Sequence, residues 1–172
     1  MPFVRTLVIF GALCVGACVE VPLASVAPTD PFIGTRQGLM KTTVADDSSP
    51  LQPSAGLPAV FRMAESEGRV VVVWSVGGLA GGGMFEPEVA GSRFRASPAR
   101  PISGASCRRL RIDGPKLSML CIGGTEAWAY ELEMTAERGS LRALLLERST
   151  DDGTVRRSYD GRLVRSTKTT FD

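Results

Sequence analysis

Short apolar runs of period two, separated by turn pairs, dominate the chain from about residue 57 onward. Arg69 to Val76 (RVVVVWSV) is almost continuously apolar and β-branched, which predicts a strand buried on both faces. Glu126 to Met134 alternates: Trp128, Tyr130, Leu132 and Met134 share one face, and Ala127, Ala129, Glu131 and Glu133 share the other. Asp113-Gly114, Asp152-Gly153 and Asp160-Gly161 are hairpin signals, because both residue types tolerate the positive φ of tight turns. The last of them is expected to join Thr154–Tyr159 to Arg162–Thr169 as a C-terminal hairpin. Ser140 to Arg148 (SLRALLLER) consists of good helix formers, yet it lies between two hairpin signals and predicts a central strand. Three consecutive leucines leave a buried helix open there. Strands at this spacing predict a mainly β protein, a single antiparallel β-meander domain folded as a barrel or a sandwich.

The stretch before this domain has the composition of a tether. Six of the eleven prolines fall between Val19 and Pro58 (Pro22, Pro28, Pro31, Pro50, Pro53, Pro58), and proline both extends a chain and removes ladder donors. One apolar patch interrupts it, Phe32-Ile33 followed by Gly38 to Val44. A first strand docking on the domain is the preferred reading of that patch, ahead of a contact for a partner.

Met1 to Glu20 carries one positive charge, Arg5, before an apolar run from Leu7 to Val19. As a helix those 13 residues rise only about 20 Å, short of a hydrocarbon core of about 30 Å, so a secretory h-region is expected rather than a spanning helix. Val15-Gly16-Ala17-Cys18 at its end resembles the lipobox of bacterial lipoprotein precursors, with Val where Leu is commonest. The resemblance implies cleavage before Cys18, diacylation of its thiol and, with several acyl chains, a durable membrane anchor. Val19 stands where Asp would favour inner-membrane retention, so the resemblance implies the periplasmic face of the outer membrane. The expected division is 1–17 signal peptide, 18–56 lipidated cysteine and tether, and 57–172 β domain.

Composition then narrows the chemistry. At 172 residues and 18.3 kDa there is room for one domain, and 20 basic against 18 acidic residues give no reason to expect nucleic acid. There is no histidine, which removes His-based acid–base catalysis, the Ser-His and Cys-His pairs and His-ligated metals. The carboxylate pairs Glu86/Glu88 and Glu131/Glu133 sit at strand spacing on solvated faces, and none of the three lysines (Lys41, Lys116, Lys168) is placed to activate a serine. No catalytic residue, metal site or cofactor is therefore expected, and the protein is read as a non-enzyme.

Two features remain. Cys107 and Cys121 lie at equal distances from Gly114 in the hairpin CRRLRIDGPKLSMLC, so they are expected opposite one another as a structural disulfide. Arg93 to Lys116 holds seven basic residues against the single acid Asp113, and Arg109 and Arg111 alternate with Leu110 and Ile112, so both leave the core together. A solvated face balanced by Glu131, Glu133 and Glu137 would be the bland outcome. The functional one is a contact surface made by Arg108, Arg109 and Arg111 with Leu79 and Phe85, the latter two in or just beyond a glycine-rich hairpin loop (Gly77 to Gly83). The function expected is that of a lipid-anchored cell-envelope protein acting by binding, an accessory or assembly component. Its partners would be the membrane, through the anchor, and an acidic envelope protein or lipid head group. The alternative is a lipocalin-like barrel carrying a small apolar ligand against Trp128 and Tyr130.

Overall fold

A computed structural model describes residues 31–44, 56–88, 93–97 and 104–166. The signal segment, Cys18 and the rest of the tether ahead of residue 31 lie outside the described residues, as do 45–55.

Ten strands follow one another in the chain: β1 (Gly34–Val44), β2 (Leu57–Ser66), β3 (Arg69–Val76), β4 (Leu79–Pro87), β5 (Arg93–Ala96), β6 (Ala105–Asp113), β7 (Lys116–Ile122), β8 (Trp128–Glu137), β9 (Ser140–Ser149) and β10 (Val155–Arg165). Each pairs antiparallel with the next, and β10 pairs with β1, so the meander closes into a barrel. Beyond the short β5, β4 and β6 touch directly in parallel at Gly81–Ala105 and Gly82–Ser106. Alternation along every strand sends one set of side chains into the lumen, where Phe61, Val72, Trp74, Phe85, Ile112, Leu117, Met134 and Leu145 are fully buried. Arginines and glutamates occupy the outer face, the reverse of a barrel that spans lipid.

The antiparallel β expectation holds, and the barrel replaces the choice between barrel and sandwich. The patch at Gly38 to Val44 is a docked strand, β1, so barrel structure begins within the stretch assigned to the tether. Ser140 to Arg148 is a strand, β9. Arg69 to Val76 is buried on alternate residues only, because its second face is the outside of the barrel.

Two expectations about glycine are corrected. The loop expected over Gly77 to Gly83 is only the turn Gly77-Gly78, with φ of 53° and 93°; Leu79 onward is β4. A Cβ at Gly81 would lie 2.6 Å from the Trp74 ring, so glycine here makes room for an indole. Asp160-Gly161 is no turn either, since β10 runs straight through it with Gly161 opposite Met40. Glycine serves the seam: a Cβ at Gly161 would collide with the Leu39 carbonyl, and one at Gly38 with that of Arg162. The last residues of that expected hairpin, beyond Ser166, lie outside the described residues.

At the barrel end where β1 begins, Phe32 is fully buried and the chain around it is held by guanidinium donors. Arg36 Nη2 donates to the Pro31 carbonyl at 2.6 Å, and Arg165 Nη2 to that of Ile33 at 3.4 Å.

Candidate functional site

The register of β5 to β8 assembles a charged recess on the outside of the barrel. Across β5 and β6, Arg93 stands directly opposite Arg111 and Arg95 opposite Arg109. On β7 the next neighbours are Ser118 and Leu120, and on β8 they are Glu133 and Glu131. The result is two parallel rows, Arg93–Arg111–Ser118–Glu133 and Arg95–Arg109–Leu120–Glu131, lining a recess of about 690 Å³. Like charges directly opposite one another in a sheet repel, so this arrangement works against the fold.

Its acidic wall offers little relief. Two strand spacings, about 10 Å, separate the β6 arginines from the β8 glutamates. Glu131 is held instead by Arg148 on the far side, Nε to Oε2 at 2.7 Å, and Glu137 by Arg162 at 2.6 Å. Arg111 has Asp113 at 3.2 Å, Arg108 has Glu126 at 3.1 Å, and Arg95 reaches Glu88 only at 4.0 Å. Arg93 and Arg109 have no ion pair among the described residues. Among the described residues no ion pair joins Glu131, Glu133 or Glu137 to an arginine of β5 or β6.

Of the expected contact residues, Arg108, Arg109 and Arg111 come together here. Arg108 owes its place to a bulge in β6 between Cys107 and Arg109, which leaves two consecutive arginines exposed. Leu79 and Phe85 do not join them. Leu79 is partly buried against the core at the opposite end of β4, and Phe85 is fully buried, because its parity on β4 points it into the lumen. Phe85 is thus a core residue and no contact. Arg93 and Arg95 complete the array; they were visible in the sequence as part of a basic run, without a strand to place them.

A second polar constellation lies inside. Tyr130, Glu147 and Arg157 face one another on successive strands β8, β9 and β10, in the row that continues to Cys121 and Cys107. Cys107 and Cys121 form the expected disulfide, with sulfurs 2.05 Å apart. Trp74 Nε1 donates to Cys121 Sγ at 3.4 Å, and its ring lies 5.7 Å from that of Tyr130. Trp128 is at the rim of the same end, with the Arg156 guanidinium 4.8 Å above its ring. Burial raises the Tyr130 hydroxyl above its ordinary pKa, as do the charges of Glu147 and Tyr159, while Arg156 and Arg157 pull the other way. Glu147 is 4% exposed and its Oε2 has no hydrogen-bond partner among the described residues; nor has the Thr42 hydroxyl, on β1 opposite Tyr159. Glu147 was legible but overlooked: Leu141, Ala143 and Leu145 set the inward parity of β9, and residue 147 continues it. No group of three or more potential metal ligands occurs among the described residues.

No family model matches the chain, and no curated protein sequence is similar to it. Among solved structures, a protein of unknown function from the DUF3598 family of Nostoc punctiforme superposes with a TM-score of 0.55 at 12% identity. The match covers 79% of this chain and 48% of the Nostoc protein, so the chain spans about half the length of that protein. A mutant of the fluorescent protein UnaG aligns at 14% identity over 81% of this chain and 99% of its own, with a TM-score of 0.41. The first likeness shows a shared fold and nothing about activity; the second is too loose to support an argument.

Proposed function

We propose that this protein is a lipid-anchored component of a bacterial cell envelope that works by binding, without catalysis, and that it docks an acidic polypeptide in the recess of β5 to β8. The observation that carries this reading is the pair of opposed arginine couples, Arg93/Arg111 and Arg95/Arg109, in which Arg93 and Arg109 have no ion pair among the described residues while Glu131 is held by Arg148. An array that costs the fold stability becomes favourable when carboxylates from a partner fill it, since charge-assisted pairs with guanidinium are strong and directional. A polypeptide suits the recess better than a bilayer does, because it can set single carboxylates against the arginine rows and keep them away from Glu133, which a flat sheet of phosphates cannot do. The anchored, envelope-facing location rests on the lipobox resemblance at Val15 to Cys18.

The test is co-purification of crosslinked partners from envelopes carrying the full chain, compared with the double variant R109E/R111E and with R62E, a reversal on the exposed face of β2. A partner retained by the parent chain and by R62E but lost from R109E/R111E supports the reading. Recovery by all three, or binding to anionic vesicles that matches binding to acidic peptide, would overturn it.

A further inference from the structure

The interior constellation is independent of the recess, and it has an unmet demand. The two tryptophans and two tyrosines of the chain all line one end of the lumen. Among them is Glu147, whose Oε2 accepts nothing from the described residues. A carboxylate oxygen removed from water and left without a donor is costly, so such a group points to something bound there. The surrounding charges are layered. Glu147 is buried at 4% exposure, Arg157 directly across from it is half-buried, and Arg156 is exposed over Trp128. Among the described residues no ion pair joins Glu147 to Arg157, although the two stand opposite one another.

We infer that this end of the lumen binds a small zwitterion, ammonium first, with the ammonium on Glu147 Oε2 and the anionic group between Arg157 and Arg156. The order follows from the layering: a cation alone would have to pass two arginines, and an anion alone would meet a carboxylate at the bottom. The aromatic ring of Tyr130, directly opposite Glu147, suits an ammonium group, which is attracted to its negative face, while Trp128 lies at the rim under Arg156. The unpartnered Thr42 hydroxyl, near Tyr159, supplies a further polar group on the inward face. Phosphoethanolamine has this chemistry, whether free or as a lipid head group.

Trp74 and Trp128 provide the readout, since both tryptophans are at the site. The full chain is titrated with O-phosphoethanolamine, ethanolamine and methyl phosphate, following tryptophan emission. Saturable binding of phosphoethanolamine, with each half-molecule weaker by at least about tenfold, is expected. In the E147Q variant that preference over methyl phosphate is lost. No saturable change in the parent chain, equal binding of either half, or an unchanged preference in E147Q would overturn the inference. The half-molecule comparison uses the unaltered protein, so it decides even where E147Q does not fold. Vesicles of phosphatidylcholine with and without phosphatidylethanolamine separate the sources. A response to free phosphoethanolamine alone supports a soluble ligand, a response that requires phosphatidylethanolamine supports the head group, and a response to neither overturns both.

Discussion

Cys107 lies directly opposite Cys121 because Arg108, the residue between Cys107 and Arg109, bulges out of the β6–β7 ladder. From Asp113–Lys116 back to Arg109–Leu120 the β6–β7 ladder is centred between Gly114 and Pro115; the bulge at Arg108 then slips the register so that the two cysteines meet. The bulge thus keeps the bridge aligned inside the barrel while adding an arginine outside it. Deleting Arg108 should restore a regular ladder with Cys107 still opposite Cys121, so thiol titration of denatured, unreduced protein should find the bridge kept.

Breaking the bridge without moving the register is a separate matter. In the chain-entropy description a loop of this size contributes about 3 kcal/mol. The pair C107S/C121S should therefore lower the unfolding free energy obtained from urea denaturation by about that amount while preserving the β signature in far-ultraviolet circular dichroism.

The recess sets stability against binding. Replacing Arg109 by Glu removes its repulsion with Arg95 and places opposite charges across β5 and β6. R109E should melt higher than the parent, by about 0.2–1 kcal/mol of added stability, while partner retention falls. Raising salt should narrow that difference, because exposed charges are screened. An R109E chain that is both less stable and undiminished in binding would contradict the assignment.

The alkaline limit of stability should carry the mark of Tyr130. Burial first, then Glu147 and Tyr159, raise its pKa above 10.0. The folded chain therefore holds that proton more tightly than the unfolded chain does. Its contribution is whole below about pH 10 and is lost as pH rises through the folded value. Urea midpoints measured from about pH 8 to about pH 11 should fall less steeply for Y130F than for the parent.

The seam offers a steric test. Gly38 and Gly161 bring β1 and β10 together where a Cβ would strike a carbonyl of the other strand. Each alanine substitution should cost about 1–3 kcal/mol, as overpacking does, read as a drop in the denaturation midpoint. Alanine at the exposed Gly124, where a Cβ meets nothing within 4 Å, is the control.

Most of the fold was legible because alternation is a local property. Trp128 to Met134 declares its faces without reference to any neighbour, and the burial of Tyr130, Leu132 and Met134 follows. What was illegible depended on contacts distant in sequence. Asp160-Gly161 has the form of a turn, but the glycine answers to Leu39, more than a hundred residues away. Gly81 likewise looks like loop until Trp74 is seen lying on it. The arginine recess was half visible: parity showed which arginines leave the core, but only the register of β5 shows that they meet in like-charged couples. Turns made by Glu67-Gly68 and Arg138-Gly139 escaped because neither Glu nor Arg marks a turn: Glu67 and Gly68 both take positive φ, and at the second turn Gly139 does.

The pairing of β1 with β10 has a consequence for how the chain matures. Hairpins from β2 to β9 can form as soon as they exist, but the circle waits for its two most distant strands, Gly34–Val44 and Val155–Arg165. Non-local closure of that kind is slow, since a long loop must be ordered before any contact compensates it. Until then the nascent barrel is an open sheet with two unpaired edges, the form most exposed to mispairing with another chain. A chain truncated before β10 should remain in that state, so the last strand acts as the latch that turns a sticky ribbon into a closed vessel.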